Sequence, residues 1–505
     1  MAIVDKIASW LMRKRMHQIE LFMKYPFDVQ EEWLLKLIYM AKDTEWGKRF
    51  GYAKIQNHEQ FRQSVPLQNY ESLKPFIERI RRGEQNLLWS EEIKWFAKSS
   101  GTTGEKSKFI PVSPHSLDGC HYNGGRDMVA IHCNNTPDTH LFSGKNLALG
   151  GSHRTDYYGD YESYNGDVSA IVIQNLPMWA EYFRAPAIDI ALISDWEEKL
   201  DKMARATMEQ NVTSVAGVPS WMLVLFRRIM EYKKVTSIKE VWPDLEVYFH
   251  GGVSFKPYRS QFQHAIGNEE VAYLQLYNAS EGFFGIQYDR VSDEMLLMLD
   301  YGIYYEFIPS DEMMKENPST ISLGEVVIGE QYEMVISTSA GLWRYRLGDV
   351  IQFTSISPFK FFISGRTKNY INVFGEELMV HNVEEAVRIA SEKTNALVED
   401  FTVAPVFMDE KNTSGAHEWV IEFLRPPTDE KFFLELLDNA LKQLNSDYEA
   451  KRFNNYVLKS PLVRIVTQGT FYRWQKSRNR LGGQNKIPRL FNDRKYMDEL
   501  IRFMG

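Results

Sequence analysis

The residues best suited to chemistry lie in the segment KSSGTTGEKSKFIP, residues 98–111. Its two glycines allow backbone amides to turn toward one anion, its hydroxyl groups add hydrogen-bond donors, and its lysines add positive charge. An ordinary surface turn uses similar residues, so this segment alone leaves both interpretations open. The candidate anion-binding residues are Ser99, Ser100, Gly101, Thr102, Thr103 and Gly104, followed by Lys106 and Lys108.

The loop matches neither of two common nucleotide-binding sequences. The P-loop pattern G-x-x-x-x-G-K-[ST] requires a second glycine five residues after the first, and counting from Gly101 reaches Lys106. The dinucleotide pattern G-x-G-x-x-G also fails, because only Gly101 and Gly104 are present. Phosphate binding by this loop therefore needs support from other segments.

The elements around the loop indicate a mixed α/β architecture. EIKWFAK and KFIPVS, on either side of it, are predicted as strands. Helical periodicity occupies residues 1–45 and returns near 195–210 and 219–235, whereas YLQLYNASEG is a strand running into a loop. The segment EVVIGEQYEMVISTSAGLWRYRLGDVIQFTS predicts a series of strands with turns at Gly329, Gly341 and Gly348.

The last part of the chain predicts a separate, smaller α+β domain. A helix from about Val383, strands in DFTVAPVFMD and HEWVIEFL, a helix in TDEKFFLELLDNALKQL and a strand in PLVRIVTQ follow one another. About 140 residues suffice for an independent core. We place the boundary near Gly365, which gives an N-terminal domain of residues 1–364 and a C-terminal domain of residues 365–505.

Composition excludes several classes of protein. Of the 505 residues, 44% are hydrophobic and 13% aromatic, which is enough for a sizeable core. A formal charge of −8 without long blocks of one sign argues against nucleic acid as a partner. The only cysteines, Cys120 and Cys133, cannot form a disulfide framework or a cysteine metal cluster, which is typical of a reducing compartment.

The first 26 residues predict an amphipathic helix that lacks the apolar run of a signal peptide. Packing of this helix on the protein's own core is favoured over contact with a membrane surface. No segment has the uninterrupted apolar length of a transmembrane helix. We therefore expect a cytoplasmic protein without a membrane partner, and a monomer by default.

Three further segments support phosphate binding: FHGGVSF, LYNASEGFFG and WRYRLGDVI. With SSGTTGEKSKFIP, VAGVPSW and PDLEVYFHGG, they resemble the adenylate-forming superfamily of acyl- and aryl-CoA synthetases and firefly luciferase. Within it, the chain is most similar to the acyl-acid amido synthetases of the auxin-responsive Gretchen Hagen 3 family. The resemblance covers most of residues 35–355. It implies a large adenylation domain that holds ATP and the acid, and a small mobile C-terminal domain.

The resemblance implies a metal site and a nucleotide site. A carboxylate at Glu281 suits a Mg²⁺ that bridges the ATP phosphates, although a solvated loop glutamate is the alternative. Asp349 accepts hydrogen bonds from the ribose hydroxyls, or else caps a local turn. Tyr277 offers a flat face to adenine, although an aromatic at a strand end usually belongs to the core. The remaining nucleotide-binding candidates are Gly251, Gly252, Asn278, Ala279 and Ser280.

Three cations are candidate catalytic residues. Arg366 and Lys368 lie in the predicted hinge, where a cation can reach the phosphates in one orientation of the small domain. Lys486 in GGQNKIPRL resembles the C-terminal lysine motif of the family, which implies contact with the α-phosphate during adenylation. Solvated surface charge is the alternative for all three.

The acid should bind in an apolar pocket with few polar anchors. Candidate walls are Trp179, Phe183, Val218 and Trp221, from NLPMWAEYFRAP and VAGVPSWMLVLF. Ordinary core packing is the alternative for each. The eleven histidines form no H-E-x-x-H zinc pair, and none is assigned as the base.

These expectations define a two-step ligase. A carboxylic acid and ATP give an acyl-adenylate and pyrophosphate, and an amino acid amine then displaces AMP. Two alternatives remain: a ligase that passes the acyl group to the thiol of coenzyme A, and a nucleotide-binding protein without turnover. A concentrated basic run that could bind the 3′-phosphate of coenzyme A is not present in the sequence.

Overall fold

The computed structural model describes most of the chain. The described residues are 2–99, 108–176, 178–252, 255, 258–366, 370–371, 376, 378–407, 414–452, 455, 458–481, 487–491 and 493–504. The helices are α1 (Ala2–Lys24), α2 (Pro26–Ala41), α3 (Glu45–Arg49), α4 (His58–Ser64), α5 (Tyr70–Arg81), α6 (Pro114–Ser116), α7 (Asn123–Asn135), α8 (Val168–Gln174), α9 (Met178–Phe183), α10 (Ile188–Ala191), α11 (Trp196–Thr207), α12 (Pro219–Lys233), α13 (Arg259–Ile266), α14 (Val380–Thr394), α15 (Glu430–Leu444), α16 (Ser446–Arg452), α17 (Thr470–Ser477) and α18 (Lys495–Met504).

The described strands are interspersed with these helices along the chain. They are β1 (Trp95–Ser99), β2 (Lys108–Val112), β3 (Lys145–Ala148), β4 (His153–Tyr158), β5 (Tyr161–Gly166), β6 (Arg184–Ala185), β7 (Val212–Gly217), β8 (Val247–Gly251), β9 (Ala272–Ala279), β10 (Gly282–Gln287), β11 (Met295–Leu297), β12 (Ile303–Pro309), β13 (Gln331–Thr338), β14 (Tyr345–Ile356), β15 (Phe359–Arg366), β16 (Tyr370–Ile371), β17 (Leu378–Met379), β18 (Leu397–Val406), β19 (Ala416–Arg425) and β20 (Leu462–Val466).

A large mixed sheet organises the N-terminal part. Its strand order is β12-β13-β14-β15-β11-β10-β9-β8-β7-β3-β6. The strands from β9 to β6 run parallel, and the others are antiparallel to their neighbours. A second sheet, β2-β1-β5-β4, carries the two strands that flank the hydroxyl-glycine loop. In a parallel sheet, ligands bind at the carboxyl edge of the strands, so this half of the large sheet is where a site is expected.

Helix α2 packs on the antiparallel half of the large sheet. Gln30 of α2 is buried, and its amide nitrogen donates to the carbonyl oxygens of Leu299 and Ile303, both at 3.0 Å. Its amide oxygen accepts from the backbone N–H of Tyr305 at 2.9 Å. Every polar atom of this side chain is therefore used to dock α2 on β12. No helix among the described residues has the length and apolar character needed to cross a membrane.

The C-terminal part is an α+β unit with its own core. Its sheet has the order β18-β19-β20. Along β19, Trp419 and Ile421 face a core shared with α14 and α15, whereas Val420 faces a second cluster with α17 and α18. This alternation is the two-residue period of a strand buried on both faces. The predicted fold class, a large mixed α/β domain and a smaller α+β domain, is confirmed.

One sequence prediction about a turn was wrong. Gly348 lies inside β14, where φ is +80° and the pairing with β13 shifts register between Glu333 and Val335. A glycine at a β-bulge has the same local signature as a turn glycine, because both need a backbone that L-residues rarely adopt. Gly329 and Gly341 have positive φ and lie outside the strands, as predicted.

Candidate active site

The turn between β9 and β10 carries five of the predicted site residues. Tyr277, Asn278 and Ala279 end β9, and Ser280 and Glu281 form the turn before Gly282. Gly251, the last residue of β8, pairs with Leu276 of β9, so the glycines after β8 lie beside this turn. Glu281 is partly exposed. The turn therefore presents a carboxylate at the carboxyl edge of the parallel strands.

A buried hydrogen bond joins this turn to β14. The Tyr277 hydroxyl donates to Asp349 Oδ2, and the two residues are 6% and 3% exposed. The sheet order separates β9 from β14 by three strands. At a strand spacing of about 4.8 Å, the two strands of a flat sheet would be roughly 19 Å apart. The sheet must therefore curl to bring the two predicted nucleotide-binding residues together.

The Tyr277 ring lies among other aromatic side chains. Its centroid is 4.9 Å from that of Phe284 in an edge-to-face arrangement and 6.2 Å from that of Phe361. The hydroxyl is held by Asp349, so ring and hydroxyl are both fixed. An adenine contact by this ring stays a prediction. Asp349 also pairs with Arg366 of β15, which puts a predicted ribose residue and a predicted hinge cation on neighbouring strands.

A second glycine turn lies two strands away from the end of β8, on the same edge of the sheet. The loop after β3 contains Gly150 and Gly151, where a Cβ atom would clash with Ser169 and Asp167 respectively. Leu149 N–H donates to the carbonyl of Ala216 near the end of β7, at 2.9 Å. The turns after β3, β7 and β8 are therefore neighbours along one edge, where they can form a wall of a cleft.

Sequence analysis missed the side chain that holds this turn. The Lys199 ammonium donates to the carbonyl oxygens of Gly150 and Gly151 at 3.0 and 2.7 Å, and the residue is 1% exposed. Burial lowers the pKa of Lys199 to about 8, and the nearby Asp167 offsets this only in part. The signal was present: on α11, Lys199 lies between Trp196 and Met203 on the apolar face, an unusual place for a lysine.

The predicted acid-pocket residues are divided between the edge and the core. Val218 is partly buried and precedes α12, directly after the end of β7. Phe183 at the end of α9 has its ring 5.7 Å from that of Phe142. Trp221 is 5% exposed and packs edge-to-face on Trp196 at 4.6 Å, which fits the core-packing alternative. A pocket role for these residues stays a prediction.

Several predicted residues lie outside the described parts of the chain. Ser100 to Gly104, Lys106, Lys368 and Lys486 belong to this group. Ser99 ends β1, Arg366 ends β15 and Trp179 lies on α9, but the described structure does not extend to their side chains. Among the residues that are described, no group of three or more His, Cys, Asp or Glu side chains is arranged to hold a metal ion.

The C-terminal unit is docked on the N-terminal part by polar contacts. Lys476 and Tyr472 of α17 both donate to Glu197 Oε1, at 2.7 and 3.0 Å. Arg227 of α12 pairs with Glu399 of β18 at 2.9 Å. Lys476 and Glu197 are 54% and 48% exposed, whereas Arg227 and Glu399 are partly buried.

The same junction also has buried polar contacts. The side-chain amide of Gln261 on α13 donates to the carbonyl oxygen of Val398 at 2.7 Å. Arg489 donates to the Tyr258 hydroxyl at 3.1 Å, and both residues are buried.

Comparisons with known proteins identify the family. Three family models match in order: the GH3 family N-terminal domain over residues 15–271, the central domain over 296–366 and the C-terminal domain over 381–495. The chain belongs to the GH3 family. It is an acyl acid amido synthetase, a ligase that adenylates a carboxylic acid at the expense of ATP and conjugates it to an amino acid. The predicted resemblance and the predicted two-step function are confirmed.

Relatives match over nearly the whole chain. Indole-3-acetic acid-amido synthetase GH3.3 of Arabidopsis thaliana is 26% identical over 91% of this chain and 89% of its own. The 4-substituted benzoates-glutamate ligase GH3.12 of the same plant is 24% identical over 94% of each.

Solved structures share the fold. The GH3.15 acyl acid amido synthetase superposes with a TM-score of 0.80 at 17% identity, covering 97% of this chain and 95% of that one. A 2-hydroxyisobutyryl-CoA ligase in the postadenylation state gives 0.62 at 12% identity, covering 94% and 91%. The adenylate-forming architecture is thus common to ligases with different acceptors.

Proposed function

We propose that this chain binds ATP and Mg²⁺ along the carboxyl edge of the large sheet and activates a small aromatic carboxylic acid there. The observation that supports this most strongly is the hydrogen bond from Tyr277 to Asp349, because it joins the two segments assigned to the nucleotide. The relatives named above act on indole-3-acetic acid and on 4-substituted benzoates, so aryl acids are the first substrates to test.

The residues present fit a magnesium ion. Glu281 offers a hard carboxylate oxygen from a partly exposed turn, next to the end of the parallel strands. Mg²⁺ bound there neutralises charge on the ATP phosphates. The hydroxyl-glycine loop, Ser99 to Gly104, adds backbone and hydroxyl donors, and Lys486 adds a cation at the α-phosphate. Arg366 and Lys368 complete the cationic set from the hinge.

In the first step, a carboxylate oxygen of the acid attacks the α-phosphorus of ATP. The bond from that phosphorus to the oxygen bridging the β-phosphorus breaks, and pyrophosphate leaves. Asp349 holds the ribose hydroxyls, so the α-phosphate stays in line with the acid. The Gly150–Gly151 turn and Val218 flank the acid on its apolar side.

In the second step, the amine nitrogen of an amino acid attacks the acyl carbon. The bond from that carbon to the AMP oxygen breaks, AMP leaves, and the amine loses one proton. The small domain must move between the steps, because Lys486 at the α-phosphate would block the approach of the amine.

The test is acid-dependent exchange of labelled pyrophosphate into ATP, with Mg²⁺ and without amine or thiol. Aryl, indole, jasmonate-like and fatty acids are compared, and amino acids or coenzyme A are added afterwards. We expect exchange with aryl or indole acids and amide formation only with an amino acid. Thioester formation with coenzyme A, or exchange with fatty acids alone, would refute the proposed substrates.

A variant of Glu281 tests its proposed role in binding Mg²⁺. Glu281→Gln keeps the shape of the side chain but removes its charge, and we expect exchange to fall about 100-fold at a fixed Mg²⁺ concentration. The matched control is Glu270→Gln, which changes an exposed carboxylate in the loop before β9. Equal exchange rates for Glu281→Gln and wild type would show that Glu281 does not bind the metal ion.

A further inference from the structure

A histidine outside the assigned site residues lies directly behind the β9–β10 turn. Residues Leu117–Tyr122 form a π-helix, which accommodates one more residue per turn than an α-helix and often occurs at functional sites. His121 on this segment is 5% exposed, and its Nδ1 lies 3.2 Å from Oδ1 of Asn278. Asn278 itself is exposed. A buried ring thus holds an amide that lies at the surface.

The π-helix contacts both residues of one cross-strand pair between β9 and β10. Asn278 of β9 pairs with Phe283 of β10. Cys120, the residue before His121, accepts a hydrogen bond from the backbone N–H of Phe283 at 3.1 Å. One turn later, a Cβ atom on Gly124 would clash with the Phe283 ring, so helix and strand are in direct contact. The π-helix and the turn therefore form one rigid unit.

The chemistry of the pair fixes the direction of the amide. Burial lowers the pKa of His121 to about 4, so the ring is neutral near pH 7. Because the amide atom nearest to the ring is Oδ1, which can only accept, we assign the ring proton to Nδ1, which donates it. The Nδ2 group lies on the other side of the same amide carbon. It consequently points away from the buried ring, toward solvent at the edge of the sheet.

We propose that His121 is a positioning residue for nucleotide binding: it fixes the Asn278 amide so that its Nδ2 group donates to an acceptor on ATP. This inference rests on the proposed function, because it takes the edge of the β9–β10 turn as the ATP site. It also links the two phosphate-side elements mechanically. The chain runs from the hydroxyl-glycine loop through β2 and α6 into the π-helix, which is anchored on the turn that carries Glu281.

The variants separate the hydrogen bond from the packing. His121→Leu fills space but removes the donor, whereas His121→Asn places an amide N–H near the position of Nδ1. His132→Leu is the matched control: His132 is also buried, but it contacts Glu246 at the opposite end of β8, at 3.4 Å. Asn278→Ala and the double variant His121→Leu/Asn278→Ala complete a cycle.

The readouts are the Kd for ATP with Mg²⁺ by calorimetry without acid, the KM for ATP and for the acid in pyrophosphate exchange, and the Tm. We expect His121→Leu to raise the Kd and the KM for ATP about tenfold, with the KM for the acid unchanged. His121→Asn should stay within about threefold of wild type, and the double variant should equal Asn278→Ala, because His121 acts through Asn278.

Two results would overturn the proposal. One is that His121→Leu weakens ATP binding no more than His132→Leu does. The other is that the losses in the double variant add. If His121→Leu does not fold, two other variants test the proposal. His121→Asn must then retain ATP binding, and Asn278→Ala must lose it. If the wild type shows no acid-dependent exchange, the proposed function is refuted. The Kd values for ATP of the four proteins in the cycle would still test the role of His121.

Discussion

Two regions of this protein hold polar groups in contrasting ways. At the carboxyl edge of the large sheet, the polar contacts are buried: Tyr277 to Asp349, and Lys199 to the Gly150–Gly151 turn. On the α17 side of the junction with the C-terminal unit, Lys476 and Glu197 are about half exposed. Buried polar contacts are expensive to break and hold one geometry, whereas exposed ion pairs contribute little.

The contrast separates a fixed site from the exposed, α17 side of the junction. A nucleotide site must hold its donors in place before the substrate arrives, because reorganisation during the reaction would raise the barrier. A domain that changes orientation leaves exposed contacts at little expense, whereas the buried Gln261–Val398 and Tyr258–Arg489 contacts of the same junction cost more to break. The four predictions below go from the largest expected effect to the smallest.

The largest effect should follow from Asp349→Asn. This change removes the charge that accepts the Tyr277 hydroxyl and the ribose hydroxyls, and we expect pyrophosphate exchange to fall about 100-fold. The control is Asp160→Asn, at the exposed turn between β4 and β5. If both variants exchange at the wild-type rate, Asp349 has no part in nucleotide binding.

Lys199→Met should destabilise the fixed region. The two carbonyl oxygens of Gly150 and Gly151 lose their donor inside the protein, which we expect to lower the free energy of unfolding by about 2 kcal/mol. Lys202→Met, one turn further on the exposed side of α11, should change it by less than about 0.5 kcal/mol. Urea unfolding measures both. If both variants lower the free energy of unfolding equally, the buried contact of Lys199 is no stronger than the surface ion pair of Lys202.

The stabilising contribution of Lys199 should depend on pH. Its pKa of about 8 in the folded protein lies below the ordinary value of 10.5, so the unfolded chain binds more protons between these values. Stability from this residue therefore rises as the pH increases from 8 toward 10, by about 1.4 kcal/mol per unit at most. The difference in unfolding free energy between wild type and Lys199→Met should widen over that range. A difference independent of pH would contradict a lowered pKa for Lys199 in the folded protein.

The smallest effects should occur at the junction. We expect Glu197→Gln to change the free energy of unfolding by less than about 1 kcal/mol and to leave pyrophosphate exchange within about threefold. Arg227→Gln, which breaks the contact with Glu399, serves as a second probe of the same surface. A loss as large as that of Lys199→Met would show that this side of the junction is as fixed as the site, and the contrast would fail.

Local signals in the sequence predicted much of the site. NASEG and RLGD each lie at a strand end or within a strand, and short-range pattern was enough to find them. The contact between Tyr277 and Asp349 was not predictable, because it depends on the curl of a sheet whose strands are far apart in sequence. Gly348 was mistaken for a turn since a bulge glycine looks the same.

Two residues mark the limit of pattern analysis. Lys199 could have been found, because a lysine on the apolar face of a periodic helix needs a buried partner. His121 could not, because its inward direction comes from a π-helix, and the sequence CHYNGG has no signal for the extra residue. The residues that His121 contacts are placed next to it by the tertiary fold.

The docking of Gln30 has a consequence for biosynthesis. Its partners Leu299 and Ile303 are made 269 and 273 residues later in the chain. At roughly 5–20 residues per second, α2 emerges from the ribosome about 15–50 s before the strand that covers it. During that interval its apolar face, with Leu34, Leu37 and Ile38, has no native partner strand. We therefore expect α2 to be an early binding site for chaperones on the nascent chain.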